Sequence, residues 1–223
     1  MEQKITNKYY FSTEGETEKA YLDHLEKLIN REVDIVSKVS FYTKKSRPNS
    51  FVKSLNTIDK IKATHFFDYE SFESEYRSRF ENVLKSLKEA QRLGKSIVYQ
   101  NGYSNLSFEL WILLHKTDCN GSVANVKEYL QLINKAFQLQ FAGLSEYKEE
   151  RNFKKVLDKI SINDVFAAVK RCKMIMKSNE DSERKQRAKY GYSYYLDNPA
   201  TQWGSVIEEI LDQSFSKNWH GRN

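Results

Sequence analysis

Five carboxylates raise the first chemical question. Glu14 and Glu18 bracket the run Glu14-Gly15-Glu16-Thr17-Glu18, Asp68 and Glu70 flank Tyr69, and Glu109 is the lone charge between Phe108 and Leu114. Carboxylates held close together repel unless a cation lies between them. Hard divalent cations such as Mg²⁺ take oxygen ligands of this kind. A metal so held polarises a phosphoryl oxygen and lowers the pKa of a bound water. The chemistry within reach is therefore metal-dependent attack on a phosphodiester. Glu14 would share the metal or act as general base, and Glu18, one helical turn on, could support it. Each motif also has a plainer account. Acids are favoured in the first turn of a helix, which covers Glu16 and Glu18. A solvated strand end covers Asp68 and Glu70. A wet stripe or a loop anchor covers Glu109, although a carboxylate on so apolar a helix needs a cation, a metal or backbone donors.

Those residues need elements to position them. Tyr9-Tyr10-Phe11, Val33 to Tyr42, Thr64 to Phe67 and Ser96 to Gln100 read as strands. Helical spacing follows over 16–30, at Phe51, Leu55, Ile58 and Ile61, and over 72–93. Strands separated by helices imply βαβ units and an α/β fold with a mostly parallel four-stranded sheet. Sites in such sheets lie beyond the carboxyl ends of the strands. Gly15 allows a sharp turn from strand to helix. Alternation in an extended segment places Asp68 and Glu70 on one side. On that topology Glu14, Asp68 and Glu70 converge on one sheet edge.

The second half reads as helices at about 105–116, 122–140, 150–159, 163–178 and 199–215. The last starts with Asn198 as N-cap and Pro199 at the first helical position. No strand is expected after residue 100. Residues 178–190 lack a core face and read as a mobile loop. The chain thus divides into an α/β core over 1–118, carrying the catalytic residues, and a helical C-terminal region over 119–223 packed on it.

Composition narrows the class. The chain has 223 residues, with 39% hydrophobic and 13% aromatic residues, enough to bury a core and to exclude global disorder. Lys and Arg number 36 against 30 Asp and Glu, a net charge of +6 that permits a polyanionic partner. No apolar run approaches the roughly 18 residues of a membrane span, and Met1 to Lys8 carry no signal-peptide core, so a cytoplasmic protein is expected. Cys119 and Cys172 alone build neither a disulfide scaffold nor a four-thiolate zinc site. The histidines show no metal-ligand spacing, so any metal is expected to be held by oxygen. Lys44, Lys45 and Arg47 follow the second strand toward the acid edge, where they could bind phosphates. Arg184, Lys185 and Arg187 precede Tyr190, Tyr192, Tyr194 and Tyr195. Basic residues interleaved with aromatics can clamp a nucleic-acid strand, but packing is the readier account of the tyrosines.

Taken in order, Glu-Gly-x-Thr-Glu, the Asp-x-acid pair and the run from Ser104 to His115 (Ser-Asn-Leu-Ser-Phe-Glu-Leu-Trp-Ile-Leu-Leu-His) resemble the RloB / AbiLii-like group of the Toprim superfamily. Asn198-Pro199-Ala200-Thr201, followed by Val206 to Leu211, is similar to that family's Asn-Pro-Ser-Thr ending. The resemblance runs from about residue 7 to about residue 212. It implies a Toprim-like core with a helical extension, and a Mg²⁺ site (Mn²⁺ being a possible substitute) on Glu14, Asp68 and Glu70; Glu109, buried on its helix, is a further candidate for an inner acid that orients this site. It further implies cleavage of DNA or RNA in phage defence or abortive infection, beside a separately encoded ATPase. Two positions depart from the pattern: Glu70 stands where a second aspartate is usual, and Leu106 where proline is usual. The chain has no phosphate-binding loop of its own. The competing reading is a non-catalytic Toprim-fold module that docks to an ATPase. A strand-joining enzyme would need a nucleophile such as Tyr69, which alternation points away from the acids.

Overall fold

The computed structural model describes residues 4–57, 59–94, 96–182 and 184–216. Ile58, assigned above to a helix, Glu183 in the expected loop, and the end of the C-terminal region at 217–223 lie outside the described residues. The chain runs through β1 (Thr6–Thr13), α1 (Glu16–Arg31), β2 (Lys38–Lys45), α2 (Pro48–Ser54), β3 (Ile61–Asp68), α3 (Ser74–Ala90) and β4 (Ile97–Asn105). It continues through α4 (Glu109–Leu114), α5 (Val126–Phe137), α6 (Leu144–Lys148), α7 (Glu150–Leu157) and α8 (Ile162–Asp181). The hairpin β5 (Gln186–Lys189) and β6 (Tyr192–Tyr195), then β7 (Ala200–Thr201) and α9 (Trp203–Ser214), complete it.

The main sheet has the order β2-β1-β3-β4-β7. Its first four strands are parallel, and β7 joins β4 antiparallel. β3 lies between β1 and β4 and is buried almost throughout, as a strand covered on both faces must be. Phe66 and Phe67 show the two faces by alternation. Phe66 belongs to a core with α1, α4, α5, α7, α8 and α9, whereas Phe67 belongs to one with α2, α3 and the hairpin. Trp203 of α9 ties the first core together. Its ring lies 3.6 Å from that of Phe66, 4.8 Å from Phe108 and 5.5 Å from Tyr21, centroid to centroid.

Several expectations are corrected. The sheet has five strands rather than four, because β7 adds a short antiparallel edge. β4 runs on through Asn105, so α4 begins only at Glu109. The helix expected around Phe51 to Ile61 ends at Ser54, and Ile61 opens β3. Residues 178–190 are not simply a mobile loop: α8 runs to Asp181, and β5 pairs with β6 from Gln186. The chain here is held by pairing rather than by burial, since every β5 residue is exposed. Tyr192, Tyr194 and Tyr195 are buried, as packing requires. The last helix starts at Trp203 rather than Pro199. Asn198 is not its cap. The Asn198 amide instead donates to the Val123 carbonyl and accepts from the Val123 N–H, both at 2.9 Å. Thr201 Oγ1 accepts from the Trp203 N–H at 3.3 Å and serves the helix start.

Candidate active site

Glu14 follows β1 directly. Its N–H donates to the Phe66 carbonyl at 3.1 Å, which fixes this corner against β3. Gly15 is extended, at φ −110° and ψ 163°, a conformation open to any residue. The sharp-turn explanation is therefore corrected. A Cβ at position 15 would lie 2.2 Å from Glu18 Oε2, so glycine is needed to leave room for that carboxylate. Glu18 itself is 4% exposed. Its carboxylate accepts from Thr17 Oγ1 at 2.8 Å and from its own backbone N–H.

Asp68 ends β3, and the Phe108 N–H donates to its carboxylate. Its charged neighbours are Glu18, Glu109 and Lys148. Tyr69 turns to the other face and packs on Phe80, with ring centroids 5.0 Å apart. Glu70 then takes φ 63°, a left-handed conformation that costs a non-glycine residue energy and often marks a functional turn. Its N–H donates to the Leu106 carbonyl at 2.7 Å. This reversal ends the alternation that would have set Glu70 beside Asp68. Glu70 instead is the strongest charge acting on Glu14. The acids thus form an inner pit of Glu18, Asp68 and Glu109, with Glu14 and Glu70 at the rim.

Glu109 opens α4 and is 0% exposed. The cation it requires is Lys148, the last residue of α6, whose Nζ lies 3.1 Å from Glu109 Oε1. The two groups form an ion pair, and Glu109 Oε2 has no hydrogen-bond partner. The buried Tyr147 hydroxyl beside them is also without one. Lys148 carries no motif of its own. The only signal for it in the sequence was the need of a buried Glu109 for a cation.

Electrostatics set this pit apart. Burial raises the Asp68 pKa well above the usual carboxylate range, and Glu18 and Glu109 push it further. Burial likewise raises Glu18. Burial, followed by Glu70, pushes Glu14 up to about 7, while the Asp68 N–H that donates to it pulls the other way. The Glu14 side chain is open to solvent at the rim, so water screens part of this effect. Burial alone would lower Lys148, but Glu109, Asp68 and Glu18 together raise its pKa, so it stays charged. Three acids against one lysine leave the pit short of positive charge.

The pit's donors are carboxylate oxygens, the type hard cations take, and Glu109 Oε2 is buried without a hydrogen bond. Among the described residues no group of three or more His, Cys, Asp or Glu side chains forms a ready metal cage. The donors are present, and Lys148 supplies the positive charge among them.

Two clefts flank the acids. One, of about 700 Å³, is lined by Glu14, Lys45, Arg47, His65, Arg79 and Asn82 among others. Arg79 was not expected. Its spacing with Asn82, Val83 and Ser86 marks one face of α3, which was the signal available for it. Lys44 is exposed on β2 and does not line this cleft. The other cleft, of about 630 Å³, runs between α1 and α7 and includes Thr17, Lys27, Lys148 and Lys154. Arg184 is engaged with Asn179 Oδ1 at 2.6 Å, Lys185 is exposed, and Arg187 on β5 acts with Arg77 on the Tyr69 hydroxyl. The structure therefore brings Lys45 and Arg47 to the acids and sets the hairpin cations on the Tyr69 side. Ser12 Oγ lies 2.8 Å from His65 Nδ1 and 3.1 Å from the Tyr99 hydroxyl, in a fully buried chain that suits packing rather than nucleophilic chemistry.

Among the described residues, no helix is long and apolar enough to cross a membrane. A family model described as RloB-like protein matches residues 9–210. No curated protein and no solved structure matches.

Proposed function

Since the chain belongs to the RloB-like protein family, we propose that it is a Mg²⁺-dependent, Toprim-type nuclease that hydrolyses phosphodiester bonds of DNA or RNA, transfer RNA included. It acts as a cytoplasmic effector of phage defence or abortive infection, beside a separately encoded ATPase partner. The observation that carries this reading is the inner pit, where Glu18 from α1, Asp68 from β3 and Glu109 from α4 share one lysine.

Asp68, with Glu14 and Glu70 at the rim and Glu18 and Glu109 behind it, would supply the carboxylate oxygens for the metal. Bound there, Mg²⁺ supplies Lewis-acid charge for a phosphoryl oxygen and acidifies a water. Glu14 at the rim takes the proton from the attacking water, and its raised pKa suits a base working near neutral pH. The Phe108 N–H fixes the Asp68 carboxylate, and Gly15 keeps space for that of Glu18. Lys45, Arg47 and Arg79 receive the phosphates of the strand in the adjoining cleft.

A second reading, a non-catalytic module that docks to the ATPase, is favoured by the ion pair already seated on Glu109. Titration of Mg²⁺ and Mn²⁺ by thermal shift, on wild type and on Asp68→Asn, separates the two. A ligand that binds only the folded state raises its stability. The nuclease reading expects stabilisation in wild type and none in Asp68→Asn. It also expects cleavage of labelled DNA or RNA that falls about 10²–10⁴-fold in Glu14→Gln. Cleavage that survives Glu14→Ala combined with Asp68→Ala sinks it.

A further inference from the structure

We infer that Phe72 stacks on an unpaired base of the substrate strand beside the acids, while the cations of the β5–β6 hairpin hold the neighbouring phosphates. This inference rests on the nuclease reading above and narrows its substrate to a single-stranded or unpaired segment. Its first support is the ring itself. Phe72 lies two residues beyond Glu70 and is 52% exposed, although large aromatic rings mostly belong to the core. The ring is nonetheless seated. Its centroid lies 6.4 Å from that of Tyr69, which is buried and packed on Phe80 at 5.0 Å. A ring supported on one side and open on the other offers a stacking surface to a base of any sequence.

The second support is the charge around the ring. Arg77 and Arg187 are the cations that act on the Tyr69 hydroxyl. Arg77 and Lys189 share one carboxylate, that of Glu81, at 3.3 and 2.7 Å, so it offsets only one of them. Lys185 and Arg187 are exposed and make no ion pair among the described residues. Arg77, Lys185, Arg187 and Lys189 thus stand against Glu81, an excess that suits a polyanion. Glu70 and Glu73 flank the ring itself and repel phosphates, so the group that meets Phe72 is a base rather than the backbone. The third support is placement. α3 divides this surface from the cleft of about 700 Å³: Arg79, Asn82 and Val83 line the cleft, whereas Glu81 accepts from Lys189 and Tyr194 of the hairpin. The rim acids join the two sides. Glu14 lines the cleft, and Glu70, the strongest charge acting on it, leads into Phe72. A strand that crosses the acids reaches both.

The test is fluorescence anisotropy with the full chain carrying Glu14→Gln, which slows cleavage on the reading above and lets Mg²⁺ be present. The probes are a labelled single strand of about 12 nucleotides, the same strand in a duplex, and an abasic strand that keeps the phosphates without the bases. Adding Phe72→Ala is expected to weaken the intact single strand about tenfold, to leave the abasic strand and the duplex unchanged, and to keep the melting temperature, since the ring is exposed. Adding Phe72→Trp instead should keep the affinity, and the new indole's emission should be quenched by the intact strand but not by the abasic one. Adding Arg187→Ala should weaken intact and abasic strands alike and reduce the salt slope by about 1. Unchanged affinity for the intact strand in Phe72→Ala, or an equal loss on intact and abasic strands, overturns the inference and leaves the nuclease reading standing. So does an absence of quenching in Phe72→Trp, or an unchanged salt slope in Arg187→Ala. If the parent protein binds none of the three probes, the nuclease reading falls and this inference with it.

Discussion

An alanine at position 15 would set its Cβ 2.2 Å from Glu18 Oε2, with no backbone strain of its own. Gly15→Ala is therefore expected to fold and to push the Glu18 carboxylate out of the pit. Thermal shift should show near-normal stability without metal and loss of the Mg²⁺ response. The motif was legible in the sequence, but its physical reason was not, because the clash is with a side chain that curls back along α1. Lys148 was invisible for a related reason: nothing local marks a lysine whose partner is Glu109 on another element. Buried histidines give a second prediction at this scale. Burial lowers His65 to about 3 and His115 to about 4. The His115 Nδ1–H donates to the Trp111 carbonyl at 2.9 Å, and Nε2 accepts from the Tyr21 hydroxyl at 3.0 Å, an arrangement for a neutral ring. The unfolded chain protonates histidine near 6.5, above the folded value. Stability from a neutral histidine is thus complete above about pH 6.5 and is lost as pH falls toward 4. Asp68 and Glu18, with raised pKa values, act in the opposite sense, costing stability as pH rises. Comparing wild type with His115→Asn cancels the acids. Chemical denaturation at pH 7.5 and 4.5 should show the gap between them shrink by about 2–3 kcal/mol at the lower pH.

Elements of regular period were the readable ones. The parallel strands and α1, α3, α5, α7 and α8 announce themselves through apolar spacing over several residues. β5, β6 and β7 did not, because strands of four and two residues carry too little alternation. The β5 residues are also all polar or small and exposed, so their pairing with β6 left no trace in hydropathy. The end of β3 failed for another reason: alternation holds only while the backbone stays extended, and Glu70 leaves it. Close packing of α8 on α9 was likewise unmarked. A Cβ at Gly204 would meet Cys172 Sγ at 2.4 Å and its Cβ at 2.6 Å. Gly204→Ala is expected to destabilise the protein by about 1–3 kcal/mol in urea unfolding. Adding Cys172→Ala should recover only part of this, since the Cβ contact remains.

At the scale of the molecule, the helical half completes both the sheet and the pit. β7 joins β4, α6 sends Lys148 to Glu109, and Trp203 fills the space among Phe66, Phe108 and Tyr21. Residues 1–118 expressed alone should therefore lack a cooperative thermal transition and be cut rapidly by protease, although they contain all five acids. Circular dichroism and limited proteolysis check this, and a compact, protease-resistant fragment would count against it. The position of Trp203 has a consequence for the order of synthesis. Translation delivers Glu14, Glu18, Asp68, Glu70 and Glu109 before the indole that packs β3 against α1 and α4. A nascent chain that has not yet emerged through Trp203 thus carries the acids without the packing that gathers them. On the nuclease reading, it would leave the messenger and transfer RNAs around it uncut until that residue emerges.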